Sequence, residues 1–142
     1  MDKNKQPGIS FDNIILVKES FYRDVIVPKD SQAYFNVKHN WDKKDDKKCV
    51  SELITSLVLK SDEKEVLKLE STFVGTFSII NDSENMSIEE YTKGYSPALM
   101  LPYIREHISS ITQKAGVKPV LLPPINILAL INEPKANEEK GE

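Results

Sequence analysis

The sequence has few of the residues that build reactive sites. It contains one cysteine, two histidines and five glycines, and the glycines are scattered along 142 residues. A single cysteine excludes a disulfide framework, so the reducing cytoplasm is the expected compartment. No C-x-x-C, H-E-x-x-H, G-x-G-x-x-G or P-loop pattern occurs. Metal-dependent, proteolytic and nucleotide-dependent activities therefore have no anchor in the sequence.

The few candidates for catalysis are better explained as packing residues. Cys49 opens an apolar segment and has no basic or metal-ligating neighbour, which favours a small core residue. His39 and His107 are far apart in sequence, and His107 lies beside an apolar helical stripe. Carboxylates are numerous, but none lies in an apolar setting that would raise its pKa. We expect a protein that is not an enzyme and that needs no metal or cofactor.

Charge and hydrophobicity exclude two further classes. The net charge is −3, with acidic and basic residues interleaved, whereas a nucleic-acid groove needs a clustered basic face. No apolar run reaches the roughly 18 residues that span a bilayer, and the polar N-terminus M-D-K-N-K-Q-P-G does not read as a secretory signal. A hydrophobic fraction of 39% with 29% charged residues is typical of a soluble globular domain.

The chain divides into a short arm, one domain and a tail. Residues 1–8 are polar and predict a flexible arm, residues 9–132 predict a single domain, and residues 133–142 predict a disordered acidic tail. Within the domain, β-branched and aromatic residues predict four strands, over residues 9–25, 34–41, 49–60 and 66–80. The charged tract 42–48 predicts a solvated hairpin loop.

Alternation along these strands indicates which residues share a face. In the second strand Phe35, Val37, His39 and Trp41 point one way. Polarity is mixed on both faces of the first strand, which predicts a bulge that switches its parity. Gly75 interrupts the fourth strand, and an isolated strand glycine predicts a bulge or a close backbone approach.

A helix follows the strands. We expect Ser96 to cap it, a loose turn over residues 97–101, a regular helix from Pro102, and a left-handed stop at Gly116. Its apolar stripe is Leu101, Ile104, Ile108 and Ile111. Upstream, Ser87 and Glu90 have the spacing of a capping box and predict one short helical turn.

The remaining apolar surface needs a partner. Residues 117–131 are almost wholly apolar but contain three prolines, so they predict an extended segment against a hydrophobic surface, or an exposed apolar patch. The predicted class is α+β, a four-stranded antiparallel sheet followed by one long helix. Two readings stay open: these segments cover one face of the sheet, or apolar surface is left for other subunits or a binding groove.

Two blocks carry a family resemblance. They are E-S-T-F-V-G-T-F-S-I (70–79) and P-A-L-M-L-P-Y-I-R-E-H-I-S-S-I (97–111), supported by P-P-I-N-I-L-A-L (123–130). Together they closely resemble the SecB protein-export chaperones. The resemblance implies a short Pro-flanked C-terminal helix after the long one, and a homotetramer built as a dimer of dimers. It also implies an ATP-independent cytosolic holdase that binds unfolded polypeptides or preproteins in apolar grooves and passes them to the SecA motor. A SecB-like adaptor for one client, such as an antitoxin of a toxin–antitoxin system, is the alternative.

The resemblance also assigns residues. A client groove would comprise Phe35, Val37, Trp41, Leu121, Leu122, Ile125 and Leu128; an oligomer interface Leu101, Ile104, Ile108 and Ile111; and a SecA contact Glu19 and Glu70. Three departures from the family pattern stand out. The crossover from Val25 to Ala33 is short, Pro134 cuts the last helix, and Arg23 and Lys68 replace expected acidic and apolar residues.

Overall fold

The last three strands of the sheet form an antiparallel meander, and the first strand pairs with the fourth. The computed structural model describes residues 8–80, 87–122 and 126–132. These form β1 (Ile9–Arg23), β2 (Gln32–Asp45), β3 (Lys48–Ser61), β4 (Lys64–Ile79), α1 (Ile88–Lys114) and α2 (Ile127–Asn132). All strand pairs are antiparallel and the order is β1-β4-β3-β2, so β1 and β2 are the edges. The predicted α+β class is confirmed. The predicted arm and tail fall on residues 1–8 and 133–142, of which only Gly8 is described.

The two hairpins are tighter than the sequence indicates. The predicted loop over residues 42–48 is wrong, because β2 runs to Asp45 and β3 resumes at Lys48. Charged side chains are compatible with the ends of strands whose faces are solvated, so the charged tract does not stop the ladder. In the β3–β4 hairpin, Asp62 and Glu63 have φ angles of 50° and 68°. Positive φ at both central residues is the geometry that matches strand twist in a two-residue hairpin.

The first strand changes parity, as its mixed pattern predicts. Its register with β4 shifts between Phe11 and Asn13 and again between Leu16 and Lys18. Each extra residue turns the following side chains to the other face. Leu16 and Phe21 consequently pair with inward-facing residues of β4, although their sequence positions have opposite parity.

One face of the sheet forms the core. Alternate residues of β3 and β4, among them Leu53, Leu57, Leu69 and Phe77, are almost completely buried, and the residues between them are not. This confirms the predicted alternation. Helix α1 packs on this face over β2, β3 and β4.

Gly75 allows the helix to approach the sheet. A Cβ atom at this position would lie 3.0 Å from the sulfur of Met100 and 3.3 Å from both its methyl carbon and a ring carbon of Phe77. The close backbone approach that the isolated glycine predicts is thereby confirmed.

Helix α1 begins earlier than expected. The predicted start near Pro102, with a loose turn over 97–101, is wrong: one helix runs from Ile88 to Lys114. Ser87 is its N-cap, and the Ser87 hydroxyl accepts a hydrogen bond of 3.1 Å from the backbone N–H of Glu90. The capping-box spacing therefore marks the start of the long helix and not a separate turn.

Packing explains why the prolines do not break this helix. Its buried residues recur every three or four positions from end to end: Ile88, Thr92, Ser96, Pro97, Met100, Leu101, Ile104, Ile108 and Thr112. Each internal proline removes one helical hydrogen bond, but burial of a whole face contributes more than local propensity does. Ser96 is not a cap; its buried hydroxyl donates to the hydroxyl of Ser51 at 2.7 Å.

The predicted stop at Gly116 is confirmed. Gly116 has a φ angle of 74°. Its N–H donates to the carbonyl of Gln113 at 3.1 Å, and the N–H of Val117 donates to the carbonyl of Thr112 at 3.3 Å. These two bonds form a Schellman motif, which satisfies carbonyls at the helix end and turns the chain back across the sheet.

Candidate functional site

The segment after α1 lies extended along that helix. The N–H of Val120 donates to the hydroxyl of Thr112 at 3.0 Å, and the guanidinium Nε of Arg105 donates to the carbonyl of Leu122 at 2.9 Å. Val117, Val120 and Leu122 pack against the core. Helix α2 then starts at buried Ile127 and packs on α1 and β2. Two cavities border this C-terminal part of the chain, one beside α2 and one beside residues 116–120.

The first, the strand-edge cavity, lies between β2, the N-terminal half of α1, and α2. Its volume is about 640 Å³. Its apolar lining is Val37, Trp41, Leu128 and Ile131, and its other lining residues are Lys38, His39, Asn40, Glu90, Lys93 and Gly94. The lining is therefore mixed, with four apolar side chains beside polar and charged ones.

The second, the crossover cavity, lies between the β1–β2 connection and the segment after α1. Its volume is about 720 Å³. It is lined by Arg23, Val27, Pro28, Lys29, Ser31, Ala33, Leu59, Gly116, Val117, Lys118, Pro119 and Val120. Beside it, Val25 is 94% exposed and Ile26 is 78% exposed. This is the most exposed aliphatic pair in the part of the chain that the structure describes.

Edge strand β2 connects the two cavities. Ala33 lines the crossover cavity and Val37 lines the strand-edge cavity. Four residues of extended chain separate them, about 13 Å at 3.3 Å per residue. Phe35 is half-buried on the same face between them. The two cavities thus lie along the same edge strand. Its apolar residues Ala33, Phe35, Val37 and Trp41, which border or separate the cavities, are called the apolar track.

The structure brings together only part of the predicted groove. Val37, Trp41 and Leu128 line one cavity, and Phe35 lies between the two. Leu122 packs against the core, whereas Leu121 is 74% exposed and lines neither cavity. Ile125 lies outside the described residues. A client-binding role for all seven stays a prediction.

Sequence reasoning missed most of the crossover cavity. Val27, Leu59, Val117 and Val120 form its apolar walls but were not assigned to a site. A signal was nevertheless present, since Val117 and Val120 open the Pro-rich apolar segment whose burial partner was left open.

Arg23 fixes the geometry of the crossover cavity. Its guanidinium donates to the carbonyl oxygens of Asp24 and Val25, each at 2.8 Å, and to the carbonyl of Ala115 at the end of α1. A cation at a helix C-terminus also interacts favourably with the helix dipole. Arg23 therefore ties β1, the crossover and the end of α1 together.

His39 belongs to a buried polar network beside the strand-edge cavity. Its Nε2 lies 2.8 Å from the hydroxyl of Ser51, which in turn accepts from Ser96. Burial lowers the pKa of His39 to about 4, so the ring is neutral at pH 7. No carboxylate takes part in the hydrogen bonds described for this network, and Ser51 and Ser96 are fully buried. The cluster is therefore best explained as hydrogen bonding between α1 and the sheet.

Cys49 and His107, the other residues considered for catalysis, also lie in environments that indicate packing roles. Burial raises the pKa of the Cys49 thiol, which disfavours the reactive thiolate. His107 packs edge-on against Phe73 at a ring distance of 5.5 Å. Among the described residues, no group of three or more histidine, cysteine or acidic side chains could hold a metal ion.

The predicted oligomer stripe lies inside the subunit. Leu101, Ile104 and Ile108 are at most 7% exposed, because they pack against the sheet of their own chain, and Ile111 is half-buried against the same core. These side chains have little or no surface to offer another subunit. Leu99 and Tyr103 of α1 are exposed instead, although the Tyr103 ring also packs edge-on against Phe11 of β1 at a ring distance of 5.8 Å.

The two predicted SecA-contact carboxylates point to opposite faces of the sheet. Glu19 pairs in register with Ser71 and accepts a 2.9 Å hydrogen bond from its hydroxyl on the helix-covered face, where it also contacts His107. Glu70 pairs with Ser20 on the other face, 3.7 Å from Lys68. A single acidic patch therefore cannot contain both carboxylates.

Comparisons with known proteins agree on one family. The family model described as "Preprotein translocase subunit SecB" matches residues 9–138. Protein-export protein SecB of Rickettsia massiliae is 31% identical over 83 residues, which cover 58% of this chain and 53% of that protein. The SecB of Nitrosomonas europaea is 32% identical over 84 residues, 59% of this chain and 52% of that protein. The chain thus spans about half the length of these two curated SecB relatives.

Two further matches extend over nearly the whole chain. An uncharacterized protein of Methanocaldococcus jannaschii is 26% identical over 148 residues, covering 100% of this chain and 95% of that protein. Among solved structures, a SecB-like chaperone of Mycobacterium tuberculosis in complex with a ChAD peptide from the HigA1 antitoxin superposes with a TM-score of 0.72. It is 14% identical, and the match covers 83% of this chain and 91% of that one, so it shows a shared fold. Within the described residues, none of the helices has both the length and the apolar character to cross a membrane.

Proposed function

The chain belongs to the SecB family, and from that premise we propose that it is an ATP-independent holdase chaperone that binds unfolded or precursor polypeptides. The observation that carries the proposal is the apolar track along β2. A strand edge offers backbone hydrogen bonds to any extended peptide, and the flanking cavities accept apolar side chains without demanding one sequence. Such a surface suits a protein that holds many non-native chains.

The length of the track sets the length of the bound segment. From Ala33 to Trp41 an extended strand spans about 26 Å at 3.3 Å per residue. A client segment of about eight extended residues would occupy it. Alternate client side chains would point into the two cavities, with Phe35 between them.

The direct test is suppression of aggregation without nucleotide. An unfolded model protein is diluted into buffer with a several-fold molar excess of this protein, and light scattering is followed. We expect strong suppression from the natural chain and clear loss of suppression for Trp41→Asp. Binding an apolar client side chain there would remove the new carboxylate from water, which costs free energy. Ile80→Asp, at a residue 61% exposed and outside both cavities, is the control that should retain suppression. Undiminished aggregation with the natural chain would refute the proposal.

We also propose that the chain assembles as a dimer of dimers. Strand β1 pairs only with β4 among the described strands, so its other edge has open backbone groups, and Ile15 and Val17 are about half exposed. Pairing of such an edge with a second copy removes an aggregation hazard. Leu99 and Tyr103, on the exposed side of α1, supply apolar surface for contact between dimers.

The alternative function is an adaptor for one client. The M. tuberculosis chaperone with the same fold was solved with an antitoxin peptide, and a track for about eight residues suits one dedicated peptide equally well. Pull-down from the protein's own cells separates the two functions. A single dominant partner supports the adaptor, whereas many non-native clients support the holdase.

Delivery to SecA and a cytoplasmic location stay predictions. The opposed directions of Glu19 and Glu70 remove the acidic patch on which the SecA contact depended. A binding measurement with purified SecA would decide the first point, and cell fractionation the second.

A further inference from the structure

We propose that the crossover cavity selects client segments in which an apolar side chain has an aspartate or glutamate within one or two residues of it. The inference rests on the proposed chaperone function and specifies which segments that function prefers. It is carried by the distribution of charge around this one cavity.

The floor of the crossover cavity is apolar. Val27, Leu59, Val117 and Val120 form it, and Pro28 and Pro119 flank it. Neither proline has a backbone N–H to offer, so this floor provides few polar groups. It therefore favours an aliphatic or aromatic side chain at its centre.

The rim of the cavity is cationic. Arg23, Lys29 and Lys118 line it, and none of its described lining residues is acidic. The excess of cations is local, because the whole chain carries a net charge of −3. Both lysines are exposed, and no described carboxylate lies within ion-pair distance of either amino group. Their charges are therefore available to an incoming anion.

The acidic residues nearest in sequence to Arg23 and Lys29 are Asp24 and Asp30, and neither lines this cavity. Asp24 forms an ion pair with Lys64 at 3.1 Å and also accepts from the hydroxyl of Tyr22. Asp30 lines a different depression, together with Asp62 and Glu63 at the β3–β4 turn. The partial negative charge at the end of α1 is met by Arg23, whose guanidinium binds the carbonyl of Ala115. These groups leave the two lysines as the unmatched charges.

The test uses three twelve-residue peptides with the same apolar centre. In one the centre is flanked by two glutamates, in the second by two glutamines, and in the third by two lysines. Dissociation constants are measured by fluorescence anisotropy at about 50 mM salt. We expect the glutamate peptide to bind about tenfold more tightly than the lysine peptide, with the glutamine peptide between them. This preference should shrink in 0.5 M salt, because screening weakens exposed charge pairs.

Charge reversal locates the preference. In the double variant Lys29→Glu and Lys118→Glu the order of the three peptides should invert, with the affinity of the glutamine peptide unchanged within about twofold. The matched control is Lys44→Glu with Lys47→Glu, which changes net charge equally at the opposite end of the β2–β3 hairpin. That site is about 35 Å away along the strand, far beyond the Debye length, so the preference should persist.

Failure of this inference differs from failure of the chaperone proposal. Equal binding of all three peptides, or persistence of the preference in the Lys29 and Lys118 double variant, would overturn the inference and leave chaperone binding intact. Absence of binding by every peptide, together with no suppression of aggregation, would overturn both.

Discussion

Because Gly75 has no Cβ atom, Met100 of helix α1 can pack close to the backbone of the sheet. A Cβ added there would lie 3.0 Å from the sulfur of Met100, closer than ordinary van der Waals contact. Buried polar residues are also closely placed: under α1 the Ser51 hydroxyl accepts a hydrogen bond from Ser96 and lies 2.8 Å from Nε2 of His39. Buried hydroxyls of this kind stabilise a structure only while both partners remain.

Substitution Gly75→Ala should destabilise the protein. The added Cβ would lie 3.0 Å from the Met100 sulfur, and such overpacking costs about 1–3 kcal/mol. Urea unfolding followed by circular dichroism measures the loss. Gly94→Ala is the matched control, since nothing lies within 4 Å of its Cβ position. It should be neutral or stabilising by up to about 1 kcal/mol, because alanine favours helix over glycine. A stable Gly75→Ala variant would refute the close approach.

His39 should make stability depend on pH. Burial lowers its pKa from 6.5 to about 4 in the folded chain, so the unfolded chain binds a proton more readily. The stability contributed by neutral His39 is full above pH 6.5 and decreases as the pH falls toward 4. The charged groups facing the cavity are Lys38, Lys93 and Glu90. Burial is the cause of the lowered His39 pKa.

The measurement is the urea midpoint at pH 7.5, 6 and 5. The natural chain should lose more stability over this range than His39→Gln, whose amide can still reach Ser51 but does not titrate. Identical slopes for the two proteins would show that His39 is solvated in the folded state.

At the scale of elements, residues that alternate or repeat could be predicted and boundaries could not. The parity of β3 and β4 followed from the sequence, because burial on one face imposes a period of two. The start of α1 could not be predicted from the sequence, because Pro97 and Pro102 locally favour a break in the helix. Burial of one whole face of the helix against the sheet contributes more free energy than the prolines cost, and this contribution depends on residues distant in sequence.

The candidate site was less predictable than the fold. Trp41 and Leu128 come together only because the segment after α1 runs back across the sheet, which the residues alone do not specify. Lys29 and Lys118 are almost ninety positions apart and become neighbours through tertiary structure. No local pattern reports such a pairing.

Substitution Pro102→Ala should stabilise helix α1. Pro102 is exposed, so its removal leaves no cavity, and alanine restores a donor for the carbonyl of Ala98. We expect a gain of about 1–3 kcal/mol, read from the shift in the midpoint of thermal or urea unfolding. Pro97→Ala is the comparison: Pro97 is buried, so lost packing should offset part of its gain. A destabilised Pro102→Ala variant would show that the ring holds a bend the fold requires.

At the scale of the whole molecule, the sheet has one covered face and two edges with different uses. Edge β2 and its two cavities form the proposed client track, and edge β1 is the proposed contact to a second copy. The proposed client binding and the proposed assembly contact are separated, because the two edges lie on opposite sides of the sheet. Assembly through β1 would leave the β2 track open to clients.

Variants on the two sides of α1 should separate folding from assembly. Ile108→Asp places a charge at a residue 1% exposed within the subunit, and an unpaired buried charge costs several kcal/mol. It should therefore unfold the chain. Tyr103→Asp changes a half-exposed residue and removes its edge-on contact with Phe11, so it should lower stability but keep the fold, while lowering the mass in solution. Circular dichroism and light scattering measure the two effects, against an expected mass near four times 16.1 kDa. A folded, fully assembled Tyr103→Asp protein would refute contact through this side of α1.

The pairing of β1 with β4 also has a consequence during synthesis. Strand β1 emerges from the ribosome first, but its partner is complete only when Ile79 has been added, 56 residues after Arg23. At 5–20 residues per second this delay is about 3–11 s. Throughout that time Ile15, Leu16 and Val17 belong to an unpaired apolar strand. A nascent copy is thus, for several seconds, the kind of chain that a finished copy is proposed to hold.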